Sequence, residues 1–306
     1  MNTAVIDLGT NTFNLLIGRV EHGEIIAEHR SKLSVKIGEG GFAEKKINEP
    51  AFQRGLEAIS KHLQTIKKYE VTSIKAFATS AVRDASNGQV FVDEIHRQFG
   101  VKVSIISGDR EAELICAGVR ASAPFGDAPL LIMDIGGGST EFIITEGNTI
   151  RWKESYPLGV SRILELLAPE DPISPGDLHR LHELLDTSLG NLMKALEQFP
   201  SQHLVGSSGS FDTLSELILQ GLYNKASGIK GNRYDFRLKD YEDIHQVLLK
   251  STLKERLSMP GMLEMRAEMM VVSSAIIDYI IRTCAINQMT LSTFALKEGV
   301  LVTREE

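Results

Sequence analysis

The period of the apolar positions changes several times along the chain, and each change marks an element. Residues 3–7 read as a strand, Gly9-Thr10-Asn11-Thr12 as a tight polar turn, and residues 13–20 as a second strand. His22-Gly23 turns the chain into a third strand near residues 25–29. Phe52, Leu56, Ile59, Leu63 and Ile66 recur at helical spacing, with Pro50 tolerated in the first turn. Next come a strand over 73–79, a helix over 90–99, a strand over 101–106 and a helix over about 109–121. A turn-rich break at 122–129 then sets a boundary between a domain of residues 1–122 and one of 123–306.

After the break the opening pattern returns. Residues 130–134 form an apolar strand, Gly136-Gly137-Gly138-Ser139 a turn, and residues 140–145 a strand. Asp7 and Asp134 each close an apolar strand before a Gly/Ser/Thr turn, which predicts an internal duplication. The remainder reads as mostly helical: one long helix over 176–199, a short strand at 203–206, and a Gly/Ser turn running into a helix over 211–219. Helices over 241–250 and 263–282, a strand at 289–292 and a final helix from residue 295 complete the pattern. That last helix is expected to pack back on the first domain, and residues 221–232 to form the most mobile loop.

Apolar residues make up 42% of the chain and charged residues 24%, the proportions of a globular protein. No apolar run approaches the ~20 residues of a membrane-spanning helix. Neither a secretory leader nor metal-ligand spacing of Cys116 and Cys284 is evident, so a cytoplasmic location with buried thiols is expected. The net charge of −7 argues against nucleic-acid and membrane partners. An anionic substrate would therefore need a locally built site.

Three turns offer one: Asp7-Leu8-Gly9-Thr10-Asn11-Thr12, Asp134-Ile135-Gly136-Gly137-Gly138-Ser139-Thr140 and Gly206-Ser207-Ser208-Gly209-Ser210. Consecutive amides in such turns form a concave nest for phosphate oxygens. The candidate phosphate binders are Gly9, Thr10, Asn11, Gly136, Gly137, Gly138, Ser139, Ser208, Gly209 and Ser210. An aspartate beside bound phosphate calls for a hard cation between them, most simply Mg²⁺, with Mn²⁺ as an alternative. Any one turn alone could equally be an ordinary hairpin.

The strings AVIDLGTNTFNLLI, ATSAVRDASNG, ISGDREAELICAGV, LLIMDIGGGSTEFII, PLGVSRI, VGSSGSFDTL and FALKEGVL run in order over nearly the whole chain. They resemble the exopolyphosphatase/guanosine pentaphosphate phosphohydrolase family, within the superfamily of actin, sugar kinases and heat-shock-70 ATPases. The resemblance implies an α/β fold of two actin-like, ribonuclease-H-like domains with an active site in the cleft between them. It implies hydrolysis of the terminal phosphoanhydride of polyphosphate or guanosine pentaphosphate, and a homodimer. It makes Glu111 the base that activates water, Asp134 the metal-associated carboxylate with Asp7 nearby, Glu141 a helper of water or metal, and Arg83 a phosphate contact.

Each residue also has an ordinary reading: Glu111 as an acidic first-turn residue favoured by the helix dipole, Arg83 as a salt bridge to Asp84, Glu141 as a cross-strand charge. Glu268 stands where many relatives have aspartate, which puts in question whether its helix reaches the site. His179 and His182 read as solvated. Two rival functions remain: an ATP-dependent sugar- or acetate-type kinase of the same superfamily, and a non-enzymatic actin-like nucleotide binder.

Overall fold

The computed structural model describes residues 1–225, 229 and 231–303. Two mixed sheets organise it. In the first, β1 (Asn2–Leu8), β2 (Thr12–Glu21), β3 (Glu24–Ser34), β4 (Val71–Ala78) and β5 (Val103–Ile105) lie in the order β3-β2-β1-β4-β5. The second contains β6 (Leu130–Ile135), β7 (Thr140–Glu146), β8 (Thr149–Tyr156), β9 (His203–Ser207), β10 (Arg233–Phe236) and β11 (Gln288–Ser292), ordered β10-β11-β9-β6-β7-β8. Setting β1 on β6 matches β3-β2-β1-β4-β5 with β8-β7-β6-β9-β11, and β10 is an added edge. The strand directions match as well, antiparallel on the hairpin side and parallel on the other. The duplication anticipated at two turns therefore extends through both sheets.

The central strands are continuously apolar because both their faces are covered. All six residues of β6 are buried, whereas β3, at an edge, is buried nowhere along its length. One core lies outside the first sheet, under the helices Glu49–Ile66 and Gly88–Phe99. A second lies outside the second sheet, under helices that include Met270–Thr283. The third joins the sheets through the helices Gly108–Ser122 and Leu296–Val302, which follow the corresponding strands β5 and β11. Those helices meet backbone to backbone: a Cβ on Gly299 would lie 1.8 Å from the Leu114 carbonyl oxygen. The Leu296–Val302 helix also packs against β1, β2 and β3, so the end of the chain returns to the first sheet.

Several expected elements differ. The long helix over 176–199 is two, Pro175–Ser188 and Gly190–Gln198, parted at Leu189, next to Gly190, whose backbone freedom disfavours a continuous helix. Residues 263–282 divide into a 3₁₀ turn, Glu264–Arg266, and the helix Met270–Thr283. β8, β10 and the helix Val160–Leu167 were not anticipated. Cys116 is buried as expected, but Cys284 is only half-buried. Of the proposed mobile loop, residues 226–228 and 230 lie outside the described residues.

Candidate active site

Both hairpins close in the same way. Gly9 N–H donates to the Thr12 carbonyl at 3.1 Å, and Gly136 N–H to the Ser139 carbonyl at 3.0 Å. The segment after the third strand of each half then ties the loop carbonyls from outside. Thr10 O accepts from Ile37 N at 2.8 Å, and Asn11 O from Val35 N and Lys36 N at 2.9 Å. In the second half Gly136 O accepts from Val160 N, Gly137 O from Ser161 N and Arg162 N, and Gly138 O from Arg162 Nε. In a planar trans peptide N–H and C=O point opposite ways. Tying the second loop's carbonyls outward thus turns the amides of Gly137, Gly138 and Ser139 toward the cavity, the arrangement an anion nest requires.

The loops face each other at close range: a Cβ on Gly137 would lie 2.5 Å from Asn11 Nδ2. Between and beside them a cleft encloses about 870 Å³, open solvent at its mouth included. Its walls carry Asp7, Asp134, Glu111, Asp212, Lys32, Arg266 and Lys297, together with Ser208 and Gly209 of the third turn.

Asp7 Oδ2 accepts from Asn14 Nδ2 at 2.9 Å, and burial pushes its carboxyl up to about 6 despite that bond. Asp134 Oδ2 accepts from Ser207 and Ser208 hydroxyls, each at 2.7 Å; burial raises this group too, against those bonds. Ser208 holds φ at 70°, a strained conformation for serine at a site where it grips a carboxylate. Glu141, directly across β6–β7 from Asp134, accepts from Ser155 Oγ at 2.7 Å. Burial and then the charge of Asp134 push it up to about 7.

Glu111 sits in the first turn of the Gly108–Ser122 helix, which Ser107 caps. It is 7% exposed, and Arg83 Nη1 donates to its Oε2 at 2.8 Å. Burial, then Glu141, hold its carboxyl well above the usual range, with Arg83 opposing. Arg83 also reaches the Ile106 carbonyl and lies 3.7 Å from Asp84, the pairing of its ordinary reading, and it is not on the wall of the cleft between the loops. It lines an adjoining chamber with Asp84, Ser107 and Ser155.

One expected phosphate binder is misplaced. Ser210 is fully buried, its Oγ 3.0 Å from Ser273 Oγ, because the helix beginning at Ser208 has turned it into the core. The cations were missed altogether. Lys32 stands on the unburied strand β3, and burial lowers the Arg266 guanidinium, which lies over Gly209. Burial also acts against the Lys297 ammonium, but Glu298 and Asp7 raise it overall. Arg266 and Lys297 stand in EMRAEMM and FALKEGVL, so a motif signal existed without a spacing that disclosed its chemistry. Glu268 is exposed on a separate groove; its segment reaches the site through Arg266 and through Met269, whose sulfur accepts from Asn11 Nδ2 at 3.0 Å.

Among the described residues no three His, Cys, Asp or Glu side chains converge at metal-ligand distance. Mg²⁺ does not need such a cage, since one or two carboxylates, water and substrate phosphates commonly hold it. Asp7 and Asp134 fit that pattern: both line the cleft wall, Asp134 buried and Asp7 half-buried, and each keeps Oδ1 without a side-chain donor among the described residues.

The chain belongs to the Ppx/GppA phosphatase family, which matches residues 16–306. A crystal structure of an exopolyphosphatase from Cytophaga hutchinsonii superposes with a TM-score of 0.95 at 38% identity, covering 99% of this chain and 97% of that one. The guanosine-5'-triphosphate,3'-diphosphate pyrophosphatase of Aliivibrio fischeri is 28% identical over 97% of this chain, which spans only 58% of that protein's length. A Haemophilus influenzae relative, also 28% identical, is covered over 91% of its length. The two halves are accordingly actin-like, and family membership sets aside the kinase and filament readings.

Proposed function

We propose that this chain hydrolyses the terminal phosphoanhydride of inorganic polyphosphate, of guanosine pentaphosphate, or of both. The observation that carries the reading is the cleft itself, where two amide loops face one another beside Asp7, Asp134 and Glu111, with Lys32, Arg266 and Lys297 supplying the opposite charge. The amides of the second loop hold the terminal phosphate, and the three cations meet the charge of the adjoining phosphates. Asp134, with Asp7 and Glu141 nearby, would hold Mg²⁺ or Mn²⁺, which when bound offsets phosphate charge. Glu111, with its basicity raised by burial, takes a proton from water as the water oxygen attacks phosphorus. The bridging P–O bond breaks with its electron pair staying on the bridging oxygen, so the shortened chain (or guanosine tetraphosphate) is the leaving group, and the attacked phosphorus departs as inorganic phosphate carrying the oxygen of water. Arg83 orients the base. Such catalysis is largely positioning and electrostatic stabilisation.

The reading carries with it a cytoplasmic location and a homodimer, the latter open to sedimentation analysis. No helix among the described residues is long and apolar enough to cross a membrane. The deciding experiment measures phosphate release from long polyphosphate, tripolyphosphate and guanosine pentaphosphate side by side, with chelator and with Mg²⁺ restored. Release from at least one substrate, lost in chelator and regained with metal, is expected. No release from any of them, or full activity in excess chelator, would contradict the reading.

A further inference from the structure

Arg162, near the start of the Val160–Leu167 helix, ties together parts of the molecule that belong to different halves. Its Nε donates to the Gly138 carbonyl at 2.8 Å. Its Nη2 pairs with Asp84 Oδ2 and lies 3.4 Å from Ser80 Oγ. The guanidinium carbon stacks 4.5 Å from the centre of the Phe42 ring. The other oxygen of Asp84 faces Arg83 Nε at 3.7 Å, and Arg83 holds Glu111. A continuous polar chain therefore runs from the second loop, through Arg162, Asp84 and Arg83, to the carboxylate beside the cleft.

An exposed ion pair would contribute little. Arg162 differs, because its side chain is only 18% exposed and its planar fork serves a carbonyl and a carboxylate at once beneath an aromatic face. Two consequences follow for the site. Its hold on the Gly138 carbonyl helps turn the Ser139 amide toward the cavity. Its hold on Asp84 fixes the countercharge of Arg83, and through Arg83 the direction of Glu111.

We propose that Arg162 is a positioning residue that keeps the second phosphate loop and Glu111 in register across the two halves, acting through Asp84 and Arg83. The proposal rests on the reading of Glu111 as the base. Its natural scale is that of misplaced catalytic groups, where about 1 Å costs on the order of 10²-fold in rate.

The test is steady-state kinetics of Arg162→Gln, Arg162→Lys and Asp84→Asn, with Arg162→Gln repeated in a Glu111→Gln background. Arg162→Gln and Asp84→Asn should each lower kcat by roughly 10–100-fold, with KM held within about threefold. Arg162→Lys should recover part of the loss, because it keeps the charge and forfeits the fork. When Glu111 is already Gln, adding Arg162→Gln should cost clearly less than it does in the parent, since the part that acts through Asp84, Arg83 and Glu111 is already lost and only the part that acts through the loop remains. A full additional loss in that background, or a raised KM with kcat unchanged, would overturn the proposal while leaving the base in place. Near-parental turnover of Glu111→Gln alone would remove the base, and this proposal with it. If Arg162→Gln fails to fold, Asp84→Asn combined with Glu111→Gln separates the same outcomes, a loss below about threefold supporting the proposal and a full further loss overturning it.

Discussion

The β1–β2 hairpin and the β6–β7 hairpin have the same closing bond, the same outward-tied carbonyls and an aspartate at the same place, yet they differ one position across the ladder. Asp7 pairs with Asn14, and Asp134 with Glu141. Asn14 donates a hydrogen bond and moderates the buried charge of Asp7. Glu141 adds a like charge beside Asp134, with Ser207, Ser208 and Ser155 supplying the compensating hydroxyls. The next strands repeat the contrast: Ser80, after β4, touches the opposing loop at Gly138, whereas Ser208, after β9, grips Asp134. Duplication supplied two similar backbone cradles. The two cradles are now unequal: carboxylates pair in one half, and Glu111 reaches them on the helix that lies between the sheets.

The largest expected effects test that inequality. Glu111→Gln preserves size and removes the base, so kcat should fall ~10²–10⁴-fold while KM stays near that of the parent. Glu141→Gln, which makes the second pair resemble the first, should cost on the order of 10²-fold, on the scale of losing one preorganised catalytic group. Asn14→Ala on the first hairpin should cost less than about tenfold, since it removes a single moderating hydrogen bond. Equal losses at Glu141 and Asn14, measured as kcat on one substrate, would make the hairpins functionally equivalent and defeat the comparison.

An effect comparable to that of Glu141→Gln is expected where the loops meet. The Cβ of Gly137→Ala would lie 2.5 Å from Asn11 Nδ2 and 2.9 Å from Thr10 Cγ2, so the loops must part. Turnover should drop by about 10²-fold, as for other 1 Å misplacements, with KM raised and the thermal midpoint little changed. Unaltered kinetics would mean that the cleft works with its loops apart.

The scaffold was legible because an apolar strand ending in aspartate before a glycine turn is a local pattern, and it occurs twice. Glu111 stood out only through the family resemblance of ISGDREAELICAGV; as a first-turn residue four positions after Ser107 it had an ordinary reading as well, and the structure places it on the cleft wall. Lys32, Asp212, Arg266 and Lys297 were not legible. No local spacing links these four charges, and only the packing of β3, the helix after Ser208, the Leu296–Val302 helix and the turn near Arg266 brings them to one cleft. Ser210 was misread because a hydroxyl's direction depends on where its helix begins, which a Gly/Ser run leaves open. β10 was missed because its four residues derive their stability from the neighbouring β11 more than from their own pattern.

A pH effect should separate the first hairpin from the chemistry. His62, on the Glu49–Ile66 helix, is 1% exposed, and its Nε2 lies 3.1 Å from the Phe13 carbonyl. Burial lowers its affinity for a proton below the usual imidazole value. The unfolded chain thus binds the extra proton more readily as pH falls below about 6.5, and this stabilising contribution is lost as pH passes down through the folded value. Unfolding midpoints should decline over that range in the parent and decline less in His62→Gln. Parallel profiles would remove His62 as a cause.

The smallest expected effect tests whether the basic stretch of residues 221–240 runs along the cleft rim. That stretch has five basic residues against two aspartates, an excess of +3 in a chain of −7. The stretch meets the cleft wall at one point, where Thr293, which lines the cleft, donates its N–H to the Asn232 carbonyl at 3.1 Å. Much of its charge is already engaged: Arg233 pairs with Asp235 and stacks on Phe125, Lys239 pairs with Asp243, and Arg237 bonds the Tyr223 hydroxyl. Lys230 lies outside the described residues. Lys225, exposed and placed 5.2 Å from the Tyr223 ring centre, is the better candidate to meet a long polyanion. Lys225→Ala should therefore raise KM for long polyphosphate by about two- to threefold and flatten its salt dependence, by the counterion argument made for nucleic acids. Tripolyphosphate, too short to reach the rim, should be hydrolysed as before. Arg233→Ala should leave both KM values unchanged and lower stability slightly through lost packing on Phe125. A larger KM effect from Arg233 than from Lys225 would reverse this assignment, and equal losses on long and short substrates would place the stretch in support of the catalytic cleft.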